Sequence, residues 1–447
     1  MIQKPVCFVV AADWLIPLES KPVPNGFLAI ANGIIEFVGN ELPAKYRSTL
    51  RFNLDGFAIL PGLINSHCHL EFSDLDEPIP AGDSFPDWIR RLLAYRKSQS
   101  DHSEQTAMAR HQAITRGIRE SYETGVRWIV DMTTQPWEAA WIQDALSEVM
   151  AGIPPGLAPY GPIAIQPCVE LLDITQHRRE ETLAFALKQA GAPESEPLGR
   201  MGYAPHAPYT ASRKMTQLAA TRSRLEHRLV TMHVAESKDE LEWLENRKGS
   251  FSGLLAPIVS DSYFEELGQI SEHVQSLTNA WRATIAHGNY ISQKDLFNLA
   301  THSKSMAIVH CPRTHAHFGH RHGTIQVYPL ADRMASGIRH FLGTDSRASN
   351  PDLNLWSEAQ RVRAEHPSIA SVEILKMIST DAAEFLGIVN RYGAIRVNQP
   401  ATLTAIKLPA NFPSPSSLEN PHRIYDAVLL SETVSAPLEM VLRRPAE

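Results

Sequence analysis

His67 and His69 stand two residues apart in the run LPGLINSHCHLEFSD, and two imidazoles on one face of an extended segment can converge on one divalent cation. The strand reading rests on Ala58, Ile59 and Leu60, then Leu63 and Ile64, leading into the pair. Residues i and i+2 of a strand share a side, whereas in a helix the rings would point about 200° apart. Alone, the triplet is a weak signal in a chain with 19 histidines. Three later apolar runs strengthen it. Residues 230–232 run into His233 with Glu236 three further on, 283–286 end at His287, and 338–343 deliver Thr344 and Asp345. A buried strand has no structural use for such polar endings, but active residues at the C-terminal rim of a parallel barrel sit there.

A hydrolytic zinc needs about three protein ligands and an open position for water. His67, His69 and His233 supply neutral imidazoles of suitable softness, and Asp345 adds a carboxylate. Such a cation lowers the pKa of its water from about 15.7 toward 7, which makes hydroxide available at neutral pH. One divalent ion is expected, zinc first, with iron or manganese able to replace it because these ligands do not choose sharply.

The elements that must hold these residues follow from pattern. Turn signals at Asn25-Gly26 and Asn32-Gly33 punctuate short β-rich pieces in residues 1–60, which read as hairpins. The stretch from Tyr392 on does the same, so residues 1–60 and 390–447 are expected to form one small β-sandwich domain. Between them, strands alternate with helical stripes such as Ile114, Ile118 and Tyr122 before Gly125. That alternation predicts an α/β fold, a (β/α)8 TIM-like barrel over residues 61–389. Strand ends are placed at His67, Asp131, Glu170, His206, His233, His287, His310 and Asp345. The Pro/Ser-rich stretch 409–421 reads as a surface loop.

With 447 residues, 43% hydrophobic and 20% charged, the chain can bury a large core. A net charge of −7 without basic blocks gives no field favouring nucleic acid or an anionic membrane. No apolar run approaches the roughly 20 residues of a membrane span, and residues 6–12 read as a first strand, not a signal peptide. Cys7, Cys68, Cys168 and Cys311 show no CxxC spacing, which suits free thiols and a cytoplasmic location.

The words PGLINSHCHLEFS, YAPHAPYT, MHVAES, IAHGN, VHCPRTHAHFGH and LGTDSRASNPDLNLWSE, in this order, resemble the amidohydrolase superfamily. Within it they are similar to the deaminase and chlorohydrolase branch that includes adenosylhomocysteine, guanine and aminodeoxyfutalosine deaminases. The resemblance spans nearly the whole chain and also implies the terminal sandwich. The HLEFS word, with Phe85 and Trp88 downstream, and the CPRTH word look most like the aminodeoxyfutalosine group.

The resemblance implies that Asp345 binds the metal and accepts a proton from its water. It implies that Glu236 shuttles a proton to the substrate ring and the leaving amine, and that His287 stabilises the forming tetrahedral centre. A deaminase needs Glu236 because an amidine carbon resists hydroxide until the adjacent ring nitrogen is protonated. The absence of a lysine at the fourth strand end and the word VELLD fit one metal, although Glu170 leaves a second ion open.

Glu71, Phe85, Trp88, His206, Arg313 and Ser346 are the expected contacts to a small heterocyclic substrate. Each has a plainer reading as well: Phe85 and Trp88 as helix core, His206 as part of a rigid proline-flanked turn. His315, His317, His320 and His322 read as a solvated loop over the barrel mouth. No arginine stands in QPCVELLD to grip a carboxylate, which counts against adenosylhomocysteine. The expected activity is hydrolytic deamination of a purine nucleoside-like compound with release of ammonia. The alternatives are chlorohydrolase or cyclic amide hydrolase chemistry and, remotely, an inactive barrel that serves as a binding module. A homodimer is expected by family habit.

Overall fold

The computed structural model describes residues 7–98, 103–151, 153, 157, 162–191, 198–320, 327–413, 415, 423–431 and 435–443. Four strands open the chain: β1 Cys7–Leu15, β2 Val23–Ala31, β3 Ile34–Gly39 and β4 Leu50–Pro61. Asn32 and Gly33, both with positive φ, make the two-residue turn that joins β2 to β3. Asn25-Gly26 makes no reversal, because it lies inside β2 with Asn25 at φ 48.

Eight strands then follow: β5 Leu63–Cys68, β6 Val126–Thr133, β7 Ala164–Leu171, β8 Gly202–Pro205, β9 Leu229–Val234, β10 Arg282–His287, β11 Met306–His310 and β12 His340–Leu342. They are parallel neighbours in sequence order, and almost every residue in them is buried, as a sheet covered on both faces requires. Strand ends expected from the sequence fall at or within three residues of the observed ones. β13 Leu403–Lys407 and β14 Ala436–Pro437 return to the first sheet, which has the order β14-β13-β4-β1-β2-β3. Both chain ends thus build one six-stranded sheet that curls back on itself, because Ile34 pairs with Pro400 and Ile35 hydrogen-bonds Gln399 and Asn398, and it encloses a core of Phe8, Val10, Leu28, Ile35, Ile59 and Leu403. The helix Leu438–Arg443 packs on its apolar side through Leu438 and Leu442.

The barrel closes between its first and last strands. The amide of Asp345 donates to the carbonyl of His67 at 3.1 Å, and the amide of His69 donates to Asp345 at 3.4 Å. At Gly343 an added Cβ would stand 2.7 Å from the His67 carbonyl oxygen and 3.0 Å from its nitrogen, so only glycine lets the strands approach this closely. On β5 the pairing register shifts between Asn65 and Cys68. Ile64 belongs to the inner core, which continues through Trp128, Val130, Met132 and Val309, yet Cys68 packs in the outer one. That irregularity turns His67 and His69 inward, which strict alternation from Ile64 would not do.

The terminal sheet is fused to the barrel. Trp14, Ile16, Ala58 and Leu60 share one core with barrel strands and helices. Arg127 of β6 reaches Glu439 through a buried bidentate pair at 2.5 and 2.6 Å, while Tyr122 donates to the same carboxylate. Arg127 also donates to the carbonyls of Leu403 and Pro162. No helix among the described residues is long and apolar enough to cross a membrane. Glu439→Ala leaves the Arg127 charge buried without a partner, and a loss of about 3–5 kcal/mol is expected. Denaturant unfolding checks this, and an unchanged midpoint would contradict the pairing.

Candidate metal centre and active site

The strand ends deliver their polar residues to one point above the inner core. The Nε2 atoms of His69 and His233 stand 3.2 Å apart. Asp345 Oδ1 lies 3.5 Å from His69 Nε2 and 3.6 Å from His67 Nε2. All four residues are at least nine-tenths buried. Two further groupings adjoin them: Glu236, His287 and Asp345 on one side, and Glu170, His206 and His233 on the other.

The donor set fits a metal. His233 Nδ1 lies 2.9 Å from the carbonyl oxygen of His206. A carbonyl only accepts, so that nitrogen carries the ring proton and Nε2 presents a bare lone pair. Both ring nitrogens of His67 are buried without a hydrogen-bond partner. Bare lone pairs aimed at one point repel unless a cation joins them. The observed separations of 3.2–3.6 Å match the roughly 3.4 Å edge of a tetrahedron of ligands about 2.1 Å from zinc. Burial and the neighbouring His67 hold His69 and His233 well below the usual histidine range, so both stay neutral, as ligands must. Burial would raise Asp345, but His67, His287 and His69 outweigh it and keep the carboxylate ionised.

The local backbone is built for this arrangement. Asp345 and His287 are left-handed, with φ 57 and 65, a cost that recurs at functional sites. Asn65 bridges the seam by donating to Thr344 Oγ1 at 2.8 Å and accepting from the Thr344 amide. Ser349 donates to Asp345 Oδ2 at 2.9 Å and so orients the carboxylate.

Glu236 follows β9 and lies 3.7 Å from His287 Nε2. Burial, with the charges of Asp345 and Glu240, pushes its carboxyl well above the ordinary range, so it can hold a proton at neutral pH. Burial lowers His287 to about 3, leaving it a neutral hydrogen-bonding group. Glu240 accepts from the amides of Ala235 and Glu236 at 3.0 and 2.9 Å and fixes the left-handed turn at Ala235. Its role was not read from the sequence, although its place four residues after Glu236, in a helix capped by Ser237, was a visible capping signal.

The expected substrate contacts divide. Phe85 and Trp88 stack at 5.7 Å and 20°, and both meet Phe318 edge-on. With Phe251 they form a buried aromatic wall drawn from the helix Phe85–Ser98 and from the segments that follow β9 and β11. His206 donates or accepts through Nδ1 to Thr210 Oγ1 at 2.6 Å, which orients its ring beside His233. Ser346 is buried next to Asp345.

Glu71 is engaged elsewhere. One oxygen takes Arg96 at 2.5 Å, the other takes Thr134 at 2.8 Å and also meets Arg110. It therefore anchors two arginines at the mouth instead of presenting a free carboxylate. Arg313 is likewise committed, its Nε to Glu358 at 2.7 Å and its Nη2 to Asp352 at 2.6 Å. Arg96 enters the site from the helix Phe85–Ser98, and its charge opposes the burial that raises Glu170. No motif marks it.

The histidine run is not a solvated loop. Pro312 opens the helix Pro312–His317 directly after β11, a position its fixed φ favours. His315 and His320 are buried, and His310, His315 and Tyr328 pack ring on ring. His317 lies 3.0 Å from the carbonyl of Ile79. His322 lies outside the described residues.

A parallel barrel whose rim brings together three imidazoles, an ionised aspartate and a protonatable glutamate defines a metal-dependent hydrolase. The comparisons give that class its family: the amidohydrolase model matches residues 58–434, and the chain belongs to the amidohydrolase family. It is thus a hydrolase acting on carbon–nitrogen bonds other than peptide bonds.

The chain is 26% identical to a 5-methylthioadenosine/S-adenosylhomocysteine deaminase of Pyrococcus furiosus over 85% of this chain and 81% of the relative. It is 24% identical to an adenosine deaminase of Helicobacter pylori over 81% and 82%. Among solved structures, the Helicobacter pylori aminofutalosine deaminase in complex with methylthio-coformycin is similar, with TM-score 0.77 and 19% identity, covering 96% of this chain and 97% of that one. The atrazine chlorohydrolase TrzN of Arthrobacter aurescens, complexed with zinc and atraton, gives TM-score 0.70 and 16% identity over 96% and 92%.

Stripping with dipicolinate or phenanthroline should lower the melting temperature, and added zinc should restore it. Metal analysis should then find about one equivalent per chain, and His67→Ala should lose it. An unchanged melting temperature on stripping, or full occupancy in His67→Ala, would rule out this ligand set.

Proposed function

We propose that the chain is a metal-dependent deaminase that replaces the exocyclic amino group of a purine nucleoside-like compound with oxygen and releases ammonia. The observation that carries this reading is the protonatable Glu236 carboxyl set beside a neutral His287 and an ionised Asp345. A heteroaromatic amine leaves only when the ring nitrogen beside the reacting carbon is protonated, and Glu236 is the group placed to give that proton. When bound, the cation supplies Lewis acidity and activates water at neutral pH. Asp345, ionised at rest, would take one proton from the attacking water and return it to Glu236 at the end of the turnover. Glu236 would give its own proton to the ring nitrogen, take up the second proton of that water and pass it to the departing amine. His287 hydrogen-bonds the oxygen that develops charge.

Zinc is the expected ion, and one per chain. His233 belongs both to a grouping with His67 and His287 and to the one with Glu170 and His206, but with its Nδ1 proton given to a carbonyl it has a single lone pair, which cannot serve two cations. His206 is then left to meet the substrate. The relatives are named for adenosine, 5-methylthioadenosine and S-adenosylhomocysteine, and a structural neighbour for aminofutalosine. An adenine nucleoside carrying an apolar extension fits the aromatic wall of Phe85, Trp88, Phe251 and Phe318. The reading carries with it a homodimer and, given four free thiols, a cytoplasmic location.

An ammonia-release screen over adenosine, 5-methylthioadenosine, S-adenosylhomocysteine, aminofutalosine, guanine and cytosine tests the reading, with chloride release from a chlorotriazine as the rival arm. Ammonia from an adenine nucleoside is expected; chloride release without ammonia would replace deamination with dechlorination. Glu236→Gln should keep wild-type metal content and lose at least about 100-fold in kcat, since proton transfer contributes 10² to 10⁴. Unchanged turnover in that variant would retire the mechanism.

A further inference from the structure

Five tyrosines of this protein donate their hydroxyls to acids. Tyr46 donates to Glu36, Tyr95 to Asp74, Tyr122 to Glu439, Tyr203 to Glu226 and Tyr263 to Asp173. Tyr209 is only 6% exposed, and its hydroxyl has no hydrogen-bond partner among the described residues, yet it is not one of the fully enclosed unpaired atoms, so it opens on accessible space.

Its position is fixed. The turn after β8 is closed by the amides of Thr210 and Ala211, both donating to Ala207 at 2.9 and 2.8 Å, and Pro208 stiffens it. The ring meets His206 edge-on at 5.9 Å and Phe251 at 4.7 Å. Beyond His206 stands the metal ligand His233, at 5.3 Å. Beyond Phe251 stands Phe85, at 6.3 Å, where the aromatic wall begins. Tyr209 thus lies between the cluster of site histidines and the aromatic cluster of Phe85, Trp88 and Phe251. Burial, together with the charges of Glu236, Glu240 and Glu170, keeps its phenol protonated, so it is a donor.

We propose that Tyr209 is a specificity-determining residue whose hydroxyl donates to an oxygen in the spacer of the substrate, between the heterocycle that reacts and the apolar group that fills the wall. The spacer it selects is hydroxylated or ether-linked, as a sugar is, and a plain alkyl chain leaves the donor unsatisfied. This rests on the deaminase reading for the orientation of the substrate.

Tyr209→Phe keeps the ring on His206 and Phe251 and removes only the donor. In the zinc-loaded protein, calorimetry compares 5-methylthioadenosine with a 9-alkyladenine, which has an adenine ring and an apolar tail but no spacer oxygen. Tyr209→Phe should weaken the nucleoside by about three- to tenfold and leave the alkyladenine unchanged. In turnover, the loss should appear in KM with kcat preserved, and metal content should not move. Equal affinity of both proteins for the nucleoside, the same loss for both compounds, or no binding of the nucleoside by wild type would overturn the proposal. Binding without ammonia release would remove the deaminase reading and leave the Tyr209 contact standing.

Discussion

The seam between β5 and β12 is the constraint on which the site depends. It is short of ladder pairs, yet it carries His67 and His69 on one side and Asp345 on the other, joined by two backbone hydrogen bonds. If the seam opened by an ångström, the carboxylate would leave the imidazoles, because ligand distances tolerate only tenths of an ångström. Gly343, the shifted register on β5 and the Asn65 bridge to Thr344 all serve that closeness. Closing the barrel and bringing His67, His69 and Asp345 together are one structural event.

Around this seam the charges are graded. His69 and His233 are held neutral and Asp345 ionised, and a few ångströms away Glu236 is kept protonatable. Two carboxyls in contact with one cluster are thus driven in opposite directions: the histidines draw Asp345 down, while burial and the carboxylates of Asp345 and Glu240 push Glu236 up. Separating the pKa values of neighbouring acids is the usual way to assign donor and acceptor in one pocket.

Much of this was legible in the chain. Short apolar runs that end in His233, His287 and Asp345 can be read directly, because a buried parallel strand has a narrow vocabulary and any polar ending stands out. The parity change between Ile64 and His67 could not be read, since a bulge is a matter of pairing. Arg96 could not be read either: it sits in an ordinary helix and acquires meaning only where that helix ends, beside Glu71 and Glu170. Proline after β11 did signal a helix start, and the histidines behind it look like a loop only if that signal is passed over. Glu71 and Arg313 were right in place but wrong in freedom, because a charged side chain near a mouth does not reveal in sequence which neighbours already hold it. The terminal strands were found, while their merging into one sheet depends on β1 pairing in parallel with β4, a long-range choice.

The Arg127–Glu439 pair sets an order on biosynthesis. Its two ends lie 312 positions apart, so a nascent chain emerging from the ribosome exposes the second barrel strand long before the acid that neutralises it exists. Until that acid is available the Arg127 guanidinium has no carboxylate to neutralise it, so burying that end of β6 carries the cost of an uncompensated charge. The contact that ties the terminal sheet to the barrel is thus among the last that the order of the chain allows.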